Sequence, residues 1–597
     1  MRCSLQTFAF AALTSVACGP STDSTAPEGD TDTDTDTDTD TDTDADTDAD
    51  TDIEPPPFAL WLYLSTNLQV DENLVDATAL LDRAAAAGFG GVVLADFKLN
   101  KLHTGELPSW YSYNLDAFLT HAAALDLQVL PTVLPFGYSE GILASNVNLA
   151  EGQRLVDSPF MVSSDGTTLE LASSFAGLQN GGFESASGHE PAGWAWTDEP
   201  GVRTLIDTEV SYSGDASLHI APGTDNARAA QDLEVVPWRQ YHVRFWLKTS
   251  DFVPGSFNVM LYDADLGQAR NYTSFAVAET QDWTRYDFVA NSGESEQLSL
   301  YLGAWGGSSG DAWFDDVSVD ETALVNLIRR DGAPLEASGG DGALLVEGVD
   351  MDPVTDPLSG PAGIFDDWHE PPVVTIPSGS RLSPGDTLTI DSYAVAPING
   401  YQVGACLTEA GVWEWIEDNL AAVDAAFPDA PGFFFQHDEM RHMNSCAACR
   451  AKGLDAGALL AWHMEQATAR AWAQRSDATL YAWSDMWDPF HNAVDGYYFV
   501  EGDLTGSWEG LDRDVVVFNW NLDALARSVE WFEDSGYLQI VAGYYDSGDG
   551  AASAEAETVA WGVCDRNSLV GAMYTTWEDD YDQLEAWAEG WRASLED

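Results

Sequence analysis

Short unbroken apolar runs alternate with stretches of helical periodicity at both ends of the chain. Residues 59–64 form one such run. Asp71 then opens a segment with Leu74, Ala77 and Leu81 on one helical face, and Gly88 closes it. Residues 91–96 read as a buried strand, a helix is expected around 115–125, and 128–136 supplies a third strand. That order predicts parallel βα units. The pattern stops for nearly 300 residues and resumes at Gly432-Phe433-Phe434-Phe435-Gln436-His437-Asp438-Glu439. A helix with Leu460, Met464, Ala467 and Ala471 on one face follows. Further runs lie at 480–485, 515–520, 539–545 and 569–576, and a helical stretch over 584–595 ends the pattern. Three strands before the gap and five after it predict an α/β fold, a (β/α)8 TIM barrel interrupted by an insert. A doubly wound open sheet is the rival, but no glycine-rich phosphate loop follows the first strand.

The gap has two textures. Residues 176–320 are short alternating runs broken by Gly, Ser and Asp, as in Ser217-Leu218-His219-Ile220 and Tyr241-His242-Val243-Arg244-Phe245-Trp246-Leu247, which predicts an antiparallel all-β sandwich. Residues 321–400 are also β-rich and are assigned to an elaboration of the barrel. The barrel parts are then 58–175 and 401–597.

The first 57 residues carry no such pattern. Arg2, an apolar stretch over 5–17 and the small residues before Cys18 make a secretory signal over 1–18. Ser15-Val16-Ala17-Cys18 resembles a bacterial lipoprotein cleavage box, which implies lipidation at Cys18, export, and anchorage at the cell envelope or outer surface. Residues 19–57 are a Thr-Asp repeat ending in three prolines, a solvated tether with almost nothing to bury.

Charge narrows the partners. The 597-residue chain has 99 acidic and 24 basic residues, a formal charge of −75. Nucleic acid is repelled by such a surface, and membrane contact is expected only through the N-terminal lipid. Beyond Cys3 and Cys18, four cysteines remain: Cys406, Cys446, Cys449 and Cys564. Cys446-Ala-Ala-Cys449 lacks the second Cys-x-x-Cys of a zinc ribbon, so in an oxidising compartment disulfides are expected, with three pairings open.

The sandwich segment resembles carbohydrate-binding modules of the cellulose-binding jelly-roll type. Asn180-Gly181-Gly182-Phe183-Glu184 opens it and Gly193-Trp194 follows. Ser213-Gly214 and Ser217-Leu218 come next, and Trp313-Phe314-Asp315-Asp316-Val317 closes it. The resemblance implies an oligo- or polysaccharide partner and a calcium ion, with Glu184, Asp315 and Asp316 at the matching positions.

The barrel segments resemble the hexosaminidase-like glycoside hydrolases of the family 20 type. The carrier is Asp438-Glu439 at the end of an apolar strand, preceded by His437. Trp483, Trp520 and Trp577 stand at later strand ends, with Tyr544-Tyr545-Asp546 and Trp577-Glu578. The family's His-x-Gly-Gly-Asp-Glu motif appears only as Gln436-His437-Asp438-Glu439, and residues 59–66 hold no substrate-gripping Arg. The resemblance implies a retaining β-N-acetylhexosaminidase without a catalytic cofactor. In it Glu439 is the general acid and Asp438 orients the substrate acetamide. His437, Trp483, Asp485, Trp520, Tyr545, Asp546, Trp577 and Glu578 contact the sugar.

Chemistry alone leaves alternatives. Glycosidic cleavage needs a proton donor and something to stabilise the anomeric cation, and strand C-termini are where a barrel gathers such groups. A sugar without an acetamide demands a second carboxylate, for which Asp96, Asp485, Asp546 and Glu578 are candidates. A third reading is a non-catalytic glycan-binding surface lipoprotein. His437, His442 and His463 show no metal-binding spacing, while His442 and Asn444 lie in the loop after the acid pair.

Overall fold

The computed structural model describes residues 57–546, 550–563 and 568–596. The signal, Cys18, nearly all of the repeat and Cys564 lie outside the described residues. Among the described residues no helix is long and apolar enough to cross a membrane.

Eight parallel strands close into a barrel in the order expected. They are β1 (Ala59–Thr66), β2 (Gly91–Asp96), β3 (Gln128–Val133), β4 (Gly432–Phe435), β5 (Thr479–Trp483), β6 (Val515–Asn519), β7 (Gln539–Tyr544) and β8 (Leu569–Thr575). Strands β3 and β4 pair directly, Phe434 with Thr132 and Phe435 with Val133, although almost 300 residues separate them in the chain. Pairing of β8 with β1 completes the closure.

The helices are α1 (Asp71–Ala87), α2 (Ser109–Ala124), α3 (Ala410–Ala426), α4 (Ala456–Gln474), α5 (Leu525–Asp534), α6 (Gly550–Val563) and α7 (Leu584–Glu596). Gly88 caps α1 with φ 88°, a left-handed conformation that glycine adopts without steric cost. Between β5 and β6 the described chain makes only 3-10 turns (Asp485–Trp487 and Ser507–Gly510) and the short strand Phe499–Val500.

Each barrel strand is apolar on both faces, and the faces belong to two different cores. Trp61, Tyr63, Val93, Leu130, Phe434, Tyr481, Trp483, Val516 and Phe518 fill the barrel interior. Their neighbours Leu60, Leu62, Val92, Phe433, Phe435, Leu480, Ala482 and Val517 pack outward against the helices. This period of two decides which side chains reach the barrel mouth.

The chain between β3 and β4 holds two further β structures. One is an antiparallel sheet whose path includes 204–207, 217–220, Gln240–Asp263 and Gln297–Thr322, with Ala227–Glu234 and Gln281–Asn291 paired to it. Its core is Phe183, Trp194, Leu218, Tyr241, Phe245, Phe288, Phe314 and their neighbours. The other sheet joins Gln153–Val162 and Leu169–Leu171 to Glu336–Gly339 and Thr387–Ala394. Residues 153–171 were assigned to the first barrel part. Their partner strand is 387–394, so they belong with the elaboration. The sequence contact is non-local, and nothing near 153 marks the change.

Candidate active site

Strand parity sorts the expected residues. Asp438 lies four residues beyond Phe434 on the inward register, half-buried at the mouth. Tyr63 stands beside it with Gln436, which shares the same parity. Trp483 packs on Tyr63 at 5.7 Å and on Phe434 at 5.0 Å, and Trp520 meets Trp483 at 6.4 Å between ring centroids. Trp577 crosses the Tyr63 ring at 5.1 Å and keeps 50% of its surface exposed. The three tryptophans are therefore joined in one aromatic group, Trp483 and Trp577 on Tyr63 and Trp520 on Trp483.

Burial pushes the Asp438 carboxyl up to about 8, helped by the Asp485 and Glu439 carboxylates. Three acids in one partly dry pocket cannot all ionise without strong repulsion. Glu439 follows with φ 52°, the left-handed region that non-glycine residues rarely occupy. The turn takes Glu439 off the strand register. Its Oε2 accepts a hydrogen bond from the Tyr138 hydroxyl and an ion pair from Arg441 Nη2 at 2.8 Å. Arg441 also faces the Tyr138 and Tyr498 rings. Gln402 donates to the Tyr138 oxygen at 3.3 Å.

Close approach of two loops fixes this turn. A Cβ at Gly137 would fall 1.5 Å from the Asp438 carbonyl oxygen, so only glycine fits there. The loop after β3 is thereby laid directly against the acid pair and delivers Tyr138 to Glu439.

Asp485 is fully buried, and its oxygens are occupied. Oδ2 accepts from the Glu439 backbone N–H at 2.7 Å and from Asn492 Nδ2 at 2.8 Å, while Oδ1 accepts from Trp520 Nε1 at 3.3 Å. It holds the Glu439 backbone and the Trp520 indole. Burial raises its carboxyl above the ordinary value.

Several expected contacts are corrected by the same parity. His437 points outward and is wholly buried; its Nε2 lies 3.1 Å from His463 Nε2 and its ring stacks on Phe136 at 5.0 Å. Desolvation holds both imidazoles well below the ordinary histidine range, so they are neutral packing groups. Tyr545 also points outward. It is 1% exposed, stacks on Tyr574 and donates to Glu557 Oε2 at 2.7 Å, a carboxylate that also accepts from Trp587 and Trp591. Tyr544 carries the inward parity in its place.

Asp546 is buried and caps the turn after β8, accepting from Thr576 Oγ1 and from the N–H groups of Trp577 and Glu578. Glu578 is exposed on that turn. Asp96 accepts from Leu68 N, Lys98 N and the Tyr111 hydroxyl on the outer face of β2. His442 and Asn444 bind the carbonyls of Ala396 and of Leu454 and Glu501. The carboxylates of Asp96 and Asp546 and the side chains of His442 and Asn444 are thus engaged within the fold, while Glu578 keeps its carboxylate in solvent.

The sequence reading missed Tyr138, Gln402 and Arg441. Arg441 stands only two residues past the pair, outside β1, where the family resemblance places its substrate-gripping Arg. Tyr138 and Gln402 carry no local signal.

The disulfide expectation is corrected as well. Cys406, Cys446 and Cys449 are buried free thiols, and Cys406 Sγ stands 3.5 Å from each of the other two. A disulfide needs about 2.05 Å.

In the sandwich, Glu184, Asp315 and Asp316 surround Gly182. Glu184 Oε1 accepts from Asp215 N and Ala216 N, Asp315 Oδ2 from Tyr212 N and Ser213 N, and Asp316 Oδ1 from Ser213 Oγ. Among the described residues these three do not form a compact ligand set. On another face Trp196, Tyr301 and Tyr262 make edge contacts at 6.2 and 5.9 Å. The Arg228 guanidinium lies over Trp196 and Trp305 at 4.6 and 5.4 Å. Trp196 is 40% exposed there.

Residues 176–308 match the family CBM_4_9, described as a carbohydrate binding domain, and the chain carries such a domain. No curated protein matches the chain. A solved rhamnosidase from Novosphingobium sp. PP1Y is similar at 12% identity and TM-score 0.30, covering 87% of this chain and 55% of that one. A CBM4 structure is similar at 22% identity and TM-score 0.19, covering 24% of this chain and 99% of its own. The CBM22-1 xylan-binding domain of Paenibacillus barcinonensis Xyn10C is similar at 21% identity and TM-score 0.18, over 23% and 88%.

Proposed function

We propose that the chain is a glycoside hydrolase whose barrel mouth cleaves a glycan held by its carbohydrate-binding domain. One observation carries the reading. A carboxyl pushed up to about 8, Asp438, sits beside an Arg-paired carboxylate, Glu439, under a group of indoles. A general acid must hold its proton at the working pH, and burial favours the protonated form of Asp438. In this reading the donor is Asp438 and its Arg441-paired partner is Glu439, the reverse of the roles expected from sequence. Tyr63, Trp483, Trp520 and Trp577 offer apolar faces to a pyranose ring.

The favoured reaction form is substrate-assisted, retaining hydrolysis of a terminal N-acetylhexosamine. Asp438 protonates the leaving oxygen, the acetamide oxygen attacks the anomeric carbon, and Glu439 orients the acetamide. The support is that Asp96, Asp485 and Asp546 are committed to backbone or side-chain partners, and Glu578 faces solvent. Among these four candidates none is held as a separate nucleophile beside the pair. The burial of Tyr545 favours a second reading, in which the sugar lacks an acetamide and Glu439 itself serves as nucleophile.

Chromogenic N-acetylglucosaminides, galactosides and glucosides, assayed on wild type and Glu439→Gln, test both. Turnover confined to acetamido sugars and blocked by a thiazoline mimic supports the first form; turnover of plain glycosides supports the second. No turnover on any, with glycan retention intact, leaves a binding protein only.

Within the same proposal, the aromatic face of Trp196, Tyr262, Tyr301 and Trp305 takes the glycan. Calcium at the Glu184, Asp315 and Asp316 corner would show as a chelator-sensitive melting temperature. Export and anchorage through Cys18 belong here too. A lipid label that survives Cys18→Ser would refute the anchor.

A further inference from the structure

Glu151, Cys406, Cys446 and Cys449 converge in one buried cluster, their ligand atoms all within 4.8 Å of one another. They come from three separate places in the chain. Glu151 lies where the chain enters the insertion, Cys406 where it leaves, and Cys446 and Cys449 in the loop after β4. The first two places are bridged directly, by Ala150 with Ala405, Glu151 N to Gly404 O at 2.8 Å and Cys406 N to Leu149 O at 2.8 Å.

We propose that these four side chains form a structural zinc(II) site that fastens the acid-pair loop to both ends of the insertion. Three of the spacings approach the edges of a tetrahedron, and all ligand atoms lie within 4.8 Å of one another. With Zn–S of about 2.3 Å and Zn–O of about 2.0 Å, ideal S···S and S···O edges are about 3.8 and 3.5 Å. Cys406 Sγ is 3.5 Å from both other sulfurs, and Glu151 Oε2 is 3.4 Å from Cys449 Sγ. Glu151 is arranged as a monodentate ligand. Its Oε1 accepts from Ser445 N at 2.7 Å, Cys446 N at 2.7 Å and Ser445 Oγ at 3.2 Å, so only Oε2 is turned toward the thiols.

The rival chemistries fit less well. A disulfide joins two sulfurs and strands the third beside a carboxylate. Three reduced thiols around a carboxylate that is 1% exposed leave its Oε2 facing sulfur alone in a dry interior. A divalent ion would bond that oxygen and the three sulfurs directly. On binding, the three thiols release their protons, so zinc with three thiolates and one carboxylate carries a net charge of −2. Arg330, whose field reaches Cys406 and Glu151, offsets part of that charge. It is held by the Asn148 and Ala150 carbonyls, and its Nη2 is buried without a hydrogen-bond partner. Sulfur-rich tetrahedral sets select zinc or iron–sulfur clusters, and a hard carboxylate in the set favours zinc.

The site does not depend on the hydrolase reading, because its readout is metal and not turnover. The full chain, expressed without a histidine tag and dialysed against weak chelator, is assayed for metals by mass spectrometry. The expected result is about one zinc per chain, released by mercurial titration of the thiols, with cobalt(II) replacing it to give thiolate-to-metal charge-transfer absorption. Cys446→Ser and Glu151→Gln are expected to lose or weaken the metal. Should Cys446→Ser fail to fold, the wild-type stoichiometry still decides. Zinc-free protein with Cys406, Cys446 and Cys449 all alkylated, a disulfide mapped between two of those three, or iron in place of zinc would each overturn the proposal.

Discussion

Replacing Asp438 by Asn should stabilise the protein while abolishing its chemistry, and the two effects have one cause. The carboxyl's ordinary value is 3.8 and the fold pushes it up to about 8. Between those limits the folded chain holds a proton that the unfolded chain has shed. Stability that is whole below pH 3.8 is therefore withdrawn as pH rises, by about 1.4 kcal/mol per pH unit, until the folded group ionises near 8. By pH 7 the accumulated deficit is about 4 kcal/mol, of which relaxation and water entry return a part. Asparagine keeps the shape and never titrates. Melts of wild type and Asp438→Asn should nearly coincide at pH 4 and separate steadily toward pH 8. For a chain this long a kcal/mol moves the midpoint by only about a degree, so the expected gap at pH 7 is a few degrees. Loss of the donor should cut kcat/KM by about 100-fold or more on any sugar turned over. A gap independent of pH, or a variant less stable than wild type at pH 7, would refute the assignment of the proton to Asp438.

Three further outcomes follow from contacts. Gly137→Ala would drive a methyl into the Asp438 carbonyl; forced shifts of that kind cost about 1–3 kcal/mol, and kcat should fall with the melting temperature. Tyr545→Phe should leave kinetics unchanged but cost about 1–2 kcal/mol, since Glu557 loses one of three donors; a raised KM for acetamido sugars would contradict its buried placement. Trp196→Ala should weaken glycan retention several-fold, an aromatic contact being worth about 1 kcal/mol, with the melting curve unmoved.

Most of the fold was legible because apolar runs, helical faces and Gly88 are local signals. What was not legible is which face each strand turns inward. Phe433-Phe434-Phe435 is apolar throughout, as a strand buried on both sides must be, so no alternation marks the inward position. That ambiguity carries over to the strand ends. His437 and Asp438, or Tyr544 and Tyr545, look equally eligible until Phe434 and Ile540 are seen in the barrel interior. The remaining misses are non-local. Tyr138 reaches Glu439 across 301 positions, and Glu151 meets Cys449 across 298, because the insertion returns the chain to its point of departure. No window of sequence contains both partners of either contact.

Buried groups also set the pH profile of the whole fold, through two opposing slopes. Desolvation lowers His437, takes His442 to about 4 and takes His463 to about 3. Above those values the unfolded chain binds protons that the folded chain refuses, so these three add stability as pH rises toward the ordinary 6.5, and nothing beyond it. Burial raises Asp438 to about 8, Glu501 and Glu557 to about 7, and Asp367 to about 6. Those four remove stability as pH rises through the same interval and up to their own folded values. Three rising contributions against four falling ones leave a net fall of about 1.4 kcal/mol per pH unit between about pH 4.5 and 6, and they balance from there to about 6.5, once Asp367 has ionised. Above about 6.5 only the falling ones remain, at up to about 1.4 kcal/mol per pH unit for each group still protonated, and repulsion within a chain of formal charge −75 acts in the same direction. Chemical denaturation should therefore show a shallow decline in mild acid, a pause near pH 6 to 6.5 and a further decline to pH 8. His463→Gln removes one rising contribution and should steepen the decline in mild acid. Stability that climbs between pH 6.5 and 8 would mean that the carboxyls are ionised in the folded state, and the proton on Asp438 would go with them.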